Sequence, residues 1–424
     1  MHNTMTVLAL LAFLVTAPYV MAQTEPPEAE QDQVYQAQAD AAYDRGAYYF
    51  THNIVDHPWP LLSVNVEGQP SLMVYDTGVS EVFLFRELFD LTPAEEQRSY
   101  KIDIQNRSLE PVTIQLFEGD NGFEAEWVSD IPWASIGYPD YVKPFISGLI
   151  APLHYGGKTA AFERNPQENW FALFKSPYDP DFKNPVNIKI ETVFKEVELV
   201  DLKVRLPGAN DFQTLRLWID TGHSGDLELK SHLFSLEALE ATPETFSYSG
   251  AGKNSSRYVE GVTVLIGEKT LELNSVSSSA DLPTISKEVE LDGIIGSQFL
   301  NRFHHVIDVE AGVLILELDG ADLSPSRKYT PGGPGIVPFR NWDGGVIVDP
   351  GQWAERHDVL EADIIYSVNG EDIVPHKYST MIRQAIDTTT SNEVCIFRPK
   401  HENTEGKVLC FDTEPTTSPQ EADE

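Results

Sequence analysis

The triplet Asp-Thr-Gly occurs twice in this chain, at Asp76-Thr77-Gly78 and at Asp220-Thr221-Gly222. Two carboxylates held almost in contact cannot both ionise, so such a pair keeps one proton between them and can work as base and acid together. One takes a proton from water while the other polarises a carbonyl group. A threonine after each aspartate offers a hydroxyl that can brace two loops against each other. The glycine lets the backbone come close to the carboxylates and donate an N–H. A single triplet would read as a strand running into a turn, because Asp and Gly are turn residues. The second copy gives the pattern its weight.

Each triplet follows an apolar, strand-like run, Leu72-Met73-Val74-Tyr75 in one case and Leu215-Arg216-Leu217-Trp218-Ile219 in the other. The later text matches as well. Ser147-Gly148-Leu149-Ile150-Ala151 stands after the first triplet where Asp292-Gly293-Ile294-Ile295-Gly296 stands after the second. Further on, Ala161-Phe162-Glu163 corresponds to Val306-Ile307-Asp308. The chain thus contains an internal duplication with a period near 144 residues. A duplication that puts one carboxylate at the same place in each half implies a two-fold arrangement with Asp76 and Asp220 meeting on its axis.

The first 22 residues carry an apolar run, Val7 to Val15, and end at Val20-Met21-Ala22, the pattern of a signal peptide cleaved before Gln23. The expected location is periplasmic or secreted, with no stable membrane span after cleavage. The remaining length suggests two or three domains. With 66 acidic against 30 basic residues and a net charge of −36, the surface repels nucleic acid and anionic lipid. The two cysteines, Cys395 and Cys410, cannot build a zinc framework or a disulfide-rich scaffold. They flank a polar turn between two strand-like runs, and a hairpin folded about that turn would let them form a disulfide.

Residues 23–45, rich in Glu, Gln, Ala and Asp, read as an acidic leader, mobile or helical. From Ala47 onward short β-like runs alternate with Gly, Pro, Asn and Asp, so the fold class is mostly β. Breaks fall near Lys175-Ser176-Pro177 and Pro331-Gly332-Gly333-Pro334. They leave units at 46–178, 186–320 and 333–413, followed by an acidic tail at 414–424. In the third unit, Asp363 before an apolar strand and the turn Asn369-Gly370 resemble the corresponding segment of PDZ domains, with Ala362 where that family usually has Gly. This resemblance implies a β/α domain that takes a peptide C-terminus, with the carboxylate cradle near Gly333-Pro334-Gly335. Pro334 has no N–H to give that cradle.

Asp220-Thr221-Gly222 followed by Asp292-Gly293-Ile294-Ile295-Gly296 resembles the retropepsin-like and pepsin-like aspartic peptidases. The resemblance covers about residues 45–320 and implies two pseudo-symmetric β-barrel lobes around one cleft. It implies Asp76 and Asp220 as the catalytic pair, supported by Thr77, Gly78, Thr221 and Gly222. Cleavage of a peptide or protein substrate would need no cofactor, and one chain carrying both half-sites would suffice as a monomer. The family closes its cleft with flexible hairpins. Tyr248-Ser249-Gly250-Ala251-Gly252-Lys253 is the candidate flap of the second half, with Gly250 and Gly252 at its tip. The stretch Lys101 to Leu109 is its weaker counterpart, having no glycine. The chain departs from the family at Val79 and His223, where a small residue normally follows the triplet, and at Ser147 and Ala151.

Other motifs carry less. Gly250-Ala251-Gly252-Lys253-Asn254 has the wrong spacing and residue types for a phosphate loop. His304 and His305 are adjacent in a strand-like run and so point to opposite faces, which is not a metal pair. No His-Glu-x-x-His or Gly-x-Ser-x-Gly occurs. The competing expectation is a noncatalytic peptide-binding or scaffold protein built on the same frame, in which the third unit carries the interaction.

Overall fold

A computed structural model of the chain describes residues 28–53, 55–66, 69–79, 83–84, 101–104, 113–115, 148–152, 154–155, 158–193, 197–242, 244–249, 252–280, 289–326, 335–338, 344–349, 351–360, 363–387, 390–398 and 406–413. The signal-peptide segment, Gly250, Gly333, Pro334 and the acidic tail lie outside the described residues. The fold is mostly β. The leader forms helix α1 (Glu28–Asp44). The first half supplies β1 (Ala47–His52), β2 (Leu61–Val66), β3 (Gln69–Tyr75), β4 (Phe83–Leu84), β5 (Lys101–Ile104), β6 (Thr113–Gln115), β7 (Gly148–Ile150), β8 (His154–Tyr155), β9 (Lys158–Asn165) and β10 (Trp170–Lys175).

The second half supplies β11 (Pro185–Val193), β12 (Val197–Arg205), β13 (Gln213–Asp220), β14 (Leu227–Lys230), helix α2 (Leu236–Glu240), β15 (Glu244–Ser249), β16 (Gly252–Val259), β17 (Val262–Ile266), β18 (Lys269–Leu273), β19 (Val276–Ser279), β20 (Gly293–Gly296), helix α3 (Ser297–Leu300), β21 (His304–Asp308) and β22 (Val313–Glu317). The strand order β1-β10-β9-β21-β22-β11 joins the halves through six strands, three from each. In its centre Phe162 of β9 is the register partner of Ile307 of β21. These two residues correspond to each other in the sequence duplication. A pair of equivalent residues facing each other across antiparallel strands marks the local two-fold axis.

The runs that make these strands differ by position. Trp170 to Phe174 is buried throughout, as expected of a strand covered on both faces. β11 is exposed at alternate positions. Beyond the joint sheet, β4-β7-β3-β2-β5-β6 form the first half's own sheet, and β11 continues through β12-β13-β20-β14-β19-β16-β15 in the second. The hairpins β5–β6 and β15–β16 stand at matching places in the duplication, although only the second has glycine in its connecting sequence.

The C-terminal residues form a third sheet, ordered β23 (Gly335–Pro338), β24 (Gly345–Asp349), β25 (Ile364–Val368), β27 (Glu393–Arg398) and β28 (Lys407–Asp412), with β26 (Glu371–Asp372) paired to β25. Helices α4 (Trp353–His357) and α5 (Tyr378–Ala385) accompany it. Asn369 and Gly370 both take positive φ, 52° and 78°, and connect the register pair Val368–Glu371 in the two-residue turn that Asn-Gly favours. The core of this sheet also takes in Val55, Leu61 and Val74 of the first half. The Asp56 carboxylate accepts from the backbone N–H and the hydroxyl of Thr380 at 2.9 and 2.6 Å, capping the first turn of α5. No helix among the described residues is long and apolar enough to cross a membrane.

Cys395 and Cys410 are register partners on β27 and β28 and are joined in a disulfide. A loop of this size, with a sequence separation of 15, lowers the entropy of the unfolded chain by about 3 kcal/mol worth of stability. Urea unfolding with and without reductant is expected to show a loss of that order, with Cys395→Ser/Cys410→Ser behaving as the reduced protein.

Candidate active site

Both aspartates are delivered by the same device. Met73, Val74 and Tyr75 are buried at the end of β3, and β7 runs parallel beside them with Tyr75 opposite Ile150. The Asp76 N–H donates to the Ile150 carbonyl at 2.8 Å. On its other side β7 pairs antiparallel with β4, the strand that leaves the triplet. In the second half β20 lies between β13, parallel with Asp220 opposite Gly296, and β14, antiparallel. A strand wedged between the arriving and the departing strand fixes each triplet loop at both feet. Asp292, just before β20, accepts from the Arg216 N–H at 2.8 Å and so ties β20 to β13.

The two loops then hold each other. The Thr77 N–H donates to Thr221 Oγ1 at 3.0 Å, and the Thr221 N–H donates to Thr77 Oγ1 at 3.1 Å. Each hydroxyl donates onward across the junction, Thr77 to the Ile219 carbonyl at 2.9 Å and Thr221 to the Tyr75 carbonyl at 2.7 Å. Four hydrogen bonds therefore link the halves reciprocally, and both threonines are 2% exposed. Removing one hydroxyl strands a buried N–H and a buried carbonyl. Thr77→Val or Thr221→Val is expected to cost about 1–3 kcal/mol for each group left unpaired, and Thr→Ser much less, in thermal or urea unfolding.

This bracing brings Asp76 and Asp220 side by side. Gly78 N–H donates to Asp76 Oδ1 at 2.7 Å, and Gly222 and His223 N–H both donate to Asp220 Oδ1 at 2.9 Å. A Cβ placed on Gly78 would lie 2.6 Å from the Asp220 carboxyl carbon, and one on Gly222 would fall on the Asp76 carboxylate. The glycines are what allow the approach. Burial holds the Asp76 carboxyl well above the usual carboxylate range, and the charge of Asp220 beside it acts the same way. The N–H groups of Gly78 and Gly222 pull against both. Asp76 is thus the member suited to hold the shared proton.

Supporting groups around the second loop were not visible as motifs. Ser297, at the start of α3, hydrogen-bonds the Thr221 carbonyl through its hydroxyl and the His223 carbonyl through its N–H. Arg302 Nε donates to the buried Asp226 at 3.2 Å, which links β14 to the chain after α3. The His223 ring is half-buried rather than free in solvent. It fills the space left by Gly225 and Gly296, and its Nδ1 lies 3.9 Å from Glu228. Of the candidate flap, β15 and β16 pair as far as Ser249 and Gly252, while Gly250 and Ala251 lie outside the described residues. His304 and His305 do face opposite ways, His304 onto Glu163 at 2.9 Å and His305 into the core. No family model matches this chain, and no curated protein matches it.

Proposed function

We propose that this protein is an exported aspartic endopeptidase with two retropepsin-like lobes, at 46–178 and 186–320, and a C-terminal PDZ-like domain that recruits or gates substrate. The observation that carries the reading is the reciprocal Thr77–Thr221 bracing, which holds the two triplet loops together where Asp76 and Asp220 meet. In the proposed reaction Asp220 takes a proton from a water molecule as that water's oxygen attacks the peptide carbonyl carbon. Asp76 gives its proton to the carbonyl oxygen, producing a gem-diol. Asp220 then passes its proton to the amide nitrogen while a diol hydroxyl returns its proton to Asp76. The C–N bond breaks to leave a carboxylic acid and an amine, and the pair again holds one proton.

The acid and base roles rest on an asymmetry of environment. Asp76 is the more buried, at 5% exposed, and its proton is favoured by both burial and its neighbour. The PDZ-like reading rests on the sheet β23-β24-β25-β27-β28 with α5 beside it, together with the Asn369-Gly370 turn. The test is cleavage of an unbiased peptide library by residues 23–424 from acid to neutral pH, with a hydroxyl-containing transition-state mimic in parallel. Cutting that the mimic abolishes supports the peptidase. Silence at every pH, even with a C-terminal peptide added for the PDZ-like domain, would shift the reading to a peptide-binding scaffold.

A further inference from the structure

Arg164 on β9 is only 4% exposed, and its Nη1 has no hydrogen-bond partner. No carboxylate among the described residues forms an ion pair with it. Burial draws its guanidinium down to about 9, which still leaves it charged at neutral pH. An unpaired buried charge is costly, so something should compensate it. The adjacent carboxylate cannot do so. Glu163 points to the other face of the strand, where Arg45, Tyr178 and His304 already engage it at 3.2, 2.9 and 2.9 Å.

The face that Arg164 shares with Phe162 is turned toward the triplet strands, because the Phe162 ring stacks on Tyr75 at 4.7 Å. There Arg164 is the register partner of His305, which is 1% exposed. The His305 Nδ1–H donates to the Phe303 carbonyl at 3.0 Å, and its Nε2 has no partner. Burial, and then the charges of Arg164 and Arg383, draw the imidazole of His57, in the segment between β1 and β2, down to about 3. Its Nδ1 accepts from the Trp59 N–H at 3.3 Å, which puts its ring hydrogen on Nε2. Asn301 of the second half donates to the Pro58 carbonyl at 2.8 Å and closes the same junction.

We propose that Arg164 anchors a small monovalent inorganic anion at this junction, with the neutral imidazole of His57 beside it. One negative charge neutralises the one guanidinium. The anion would join β9, β21 and the segment that docks the C-terminal unit, directly behind the strand leading to Asp76. It would act as a structural ion, independent of whether the carboxylate pair cleaves peptides.

The probe is chloride, replaced stepwise by gluconate at constant ionic strength so that general screening is unchanged. The melting temperature of the full chain is expected to rise with the logarithm of chloride once the site fills, by about 2–4 °C over the range that fills it. Arg164→Met should show no such rise, and Arg164→Lys should need more chloride for the same shift. In crystals grown with bromide, an anomalous peak is expected against Arg164. Parallel responses of wild type and Arg164→Met would overturn the proposal. Should Arg164→Met not fold, an unaltered chloride response in Arg164→Lys or the lack of a bromide peak in the wild type would do the same.

Discussion

Asp76→Asn and Asp220→Asn are each expected to lower peptide cleavage by roughly 10²–10⁴-fold, the range for loss of a positioned acid or base. The two substitutions should differ in stability. Between the ordinary carboxylate range and the raised pKa of Asp76, the folded chain holds a proton that the unfolded chain has released. Stability therefore falls as pH rises through that window. Asparagine cannot ionise, so Asp76→Asn is expected to melt above the wild type at neutral pH. The difference should disappear below about pH 4, where the unfolded carboxyl is protonated too. Cleavage by the wild type should follow a bell-shaped pH profile that belongs to the pair rather than to either residue. Loss of activity together with loss of stability at every pH would mean that Asp76 is only a structural group.

Legibility of the fold in the sequence followed the range of the interactions. The duplicated triplets, their apolar approach strands and the Gly148 and Gly293 segments are local patterns, and they led directly to the two wedged strands and the braced pair. The Asn369-Gly370 turn and the facing cysteines were readable for the same reason, since each depends on a few neighbouring residues. Strand pairings across more than a hundred residues left no such trace. Nothing local in Phe162 or Ile307 announces that they meet, although the duplication made them equivalents.

Three features of the site's surroundings were hidden by their chemistry rather than by distance. Asp56 reads as a turn residue, yet it caps α5 and ties the C-terminal unit to the segment that leads into β2. Through Leu61 and Val74, which share the C-terminal core and are register partners, that unit reaches within two residues of Asp76. The first-half hairpin β5–β6 was obscured because its connection lacks the glycine that marks β15–β16, whereas strand pairing there needs only extended backbone. Alternation along β9 places Arg164 on the face of Phe162, but only the three-dimensional neighbours show that no carboxylate among the described residues pairs with it.

Gly78→Ala and Gly222→Ala test the geometry of the pair without touching a carboxylate. Neither glycine has the positive φ that would demand glycine for its backbone, so the requirement is one of space alone. An added methyl would have to share the position of the opposite aspartate, at a separation that real side chains do not adopt. The carboxylates must then move apart. A displacement near 1 Å is expected to reduce cleavage by about 10²-fold, and the overpacking to cost about 1–3 kcal/mol. The stability cost of Gly222→Ala should shrink in an Asp76→Ala background, where the colliding carboxylate is gone, and the size of that relief measures the contact in a double-mutant cycle. Gly225→Ala supplies the contrast. Its methyl would meet only the His223 ring, with Nε2 at 2.7 Å, so His223→Ser should relieve it while leaving Gly222→Ala as damaging as before. Relief of both by His223→Ser would mean that the ring, and not the facing carboxylate, sets how closely the two loops approach.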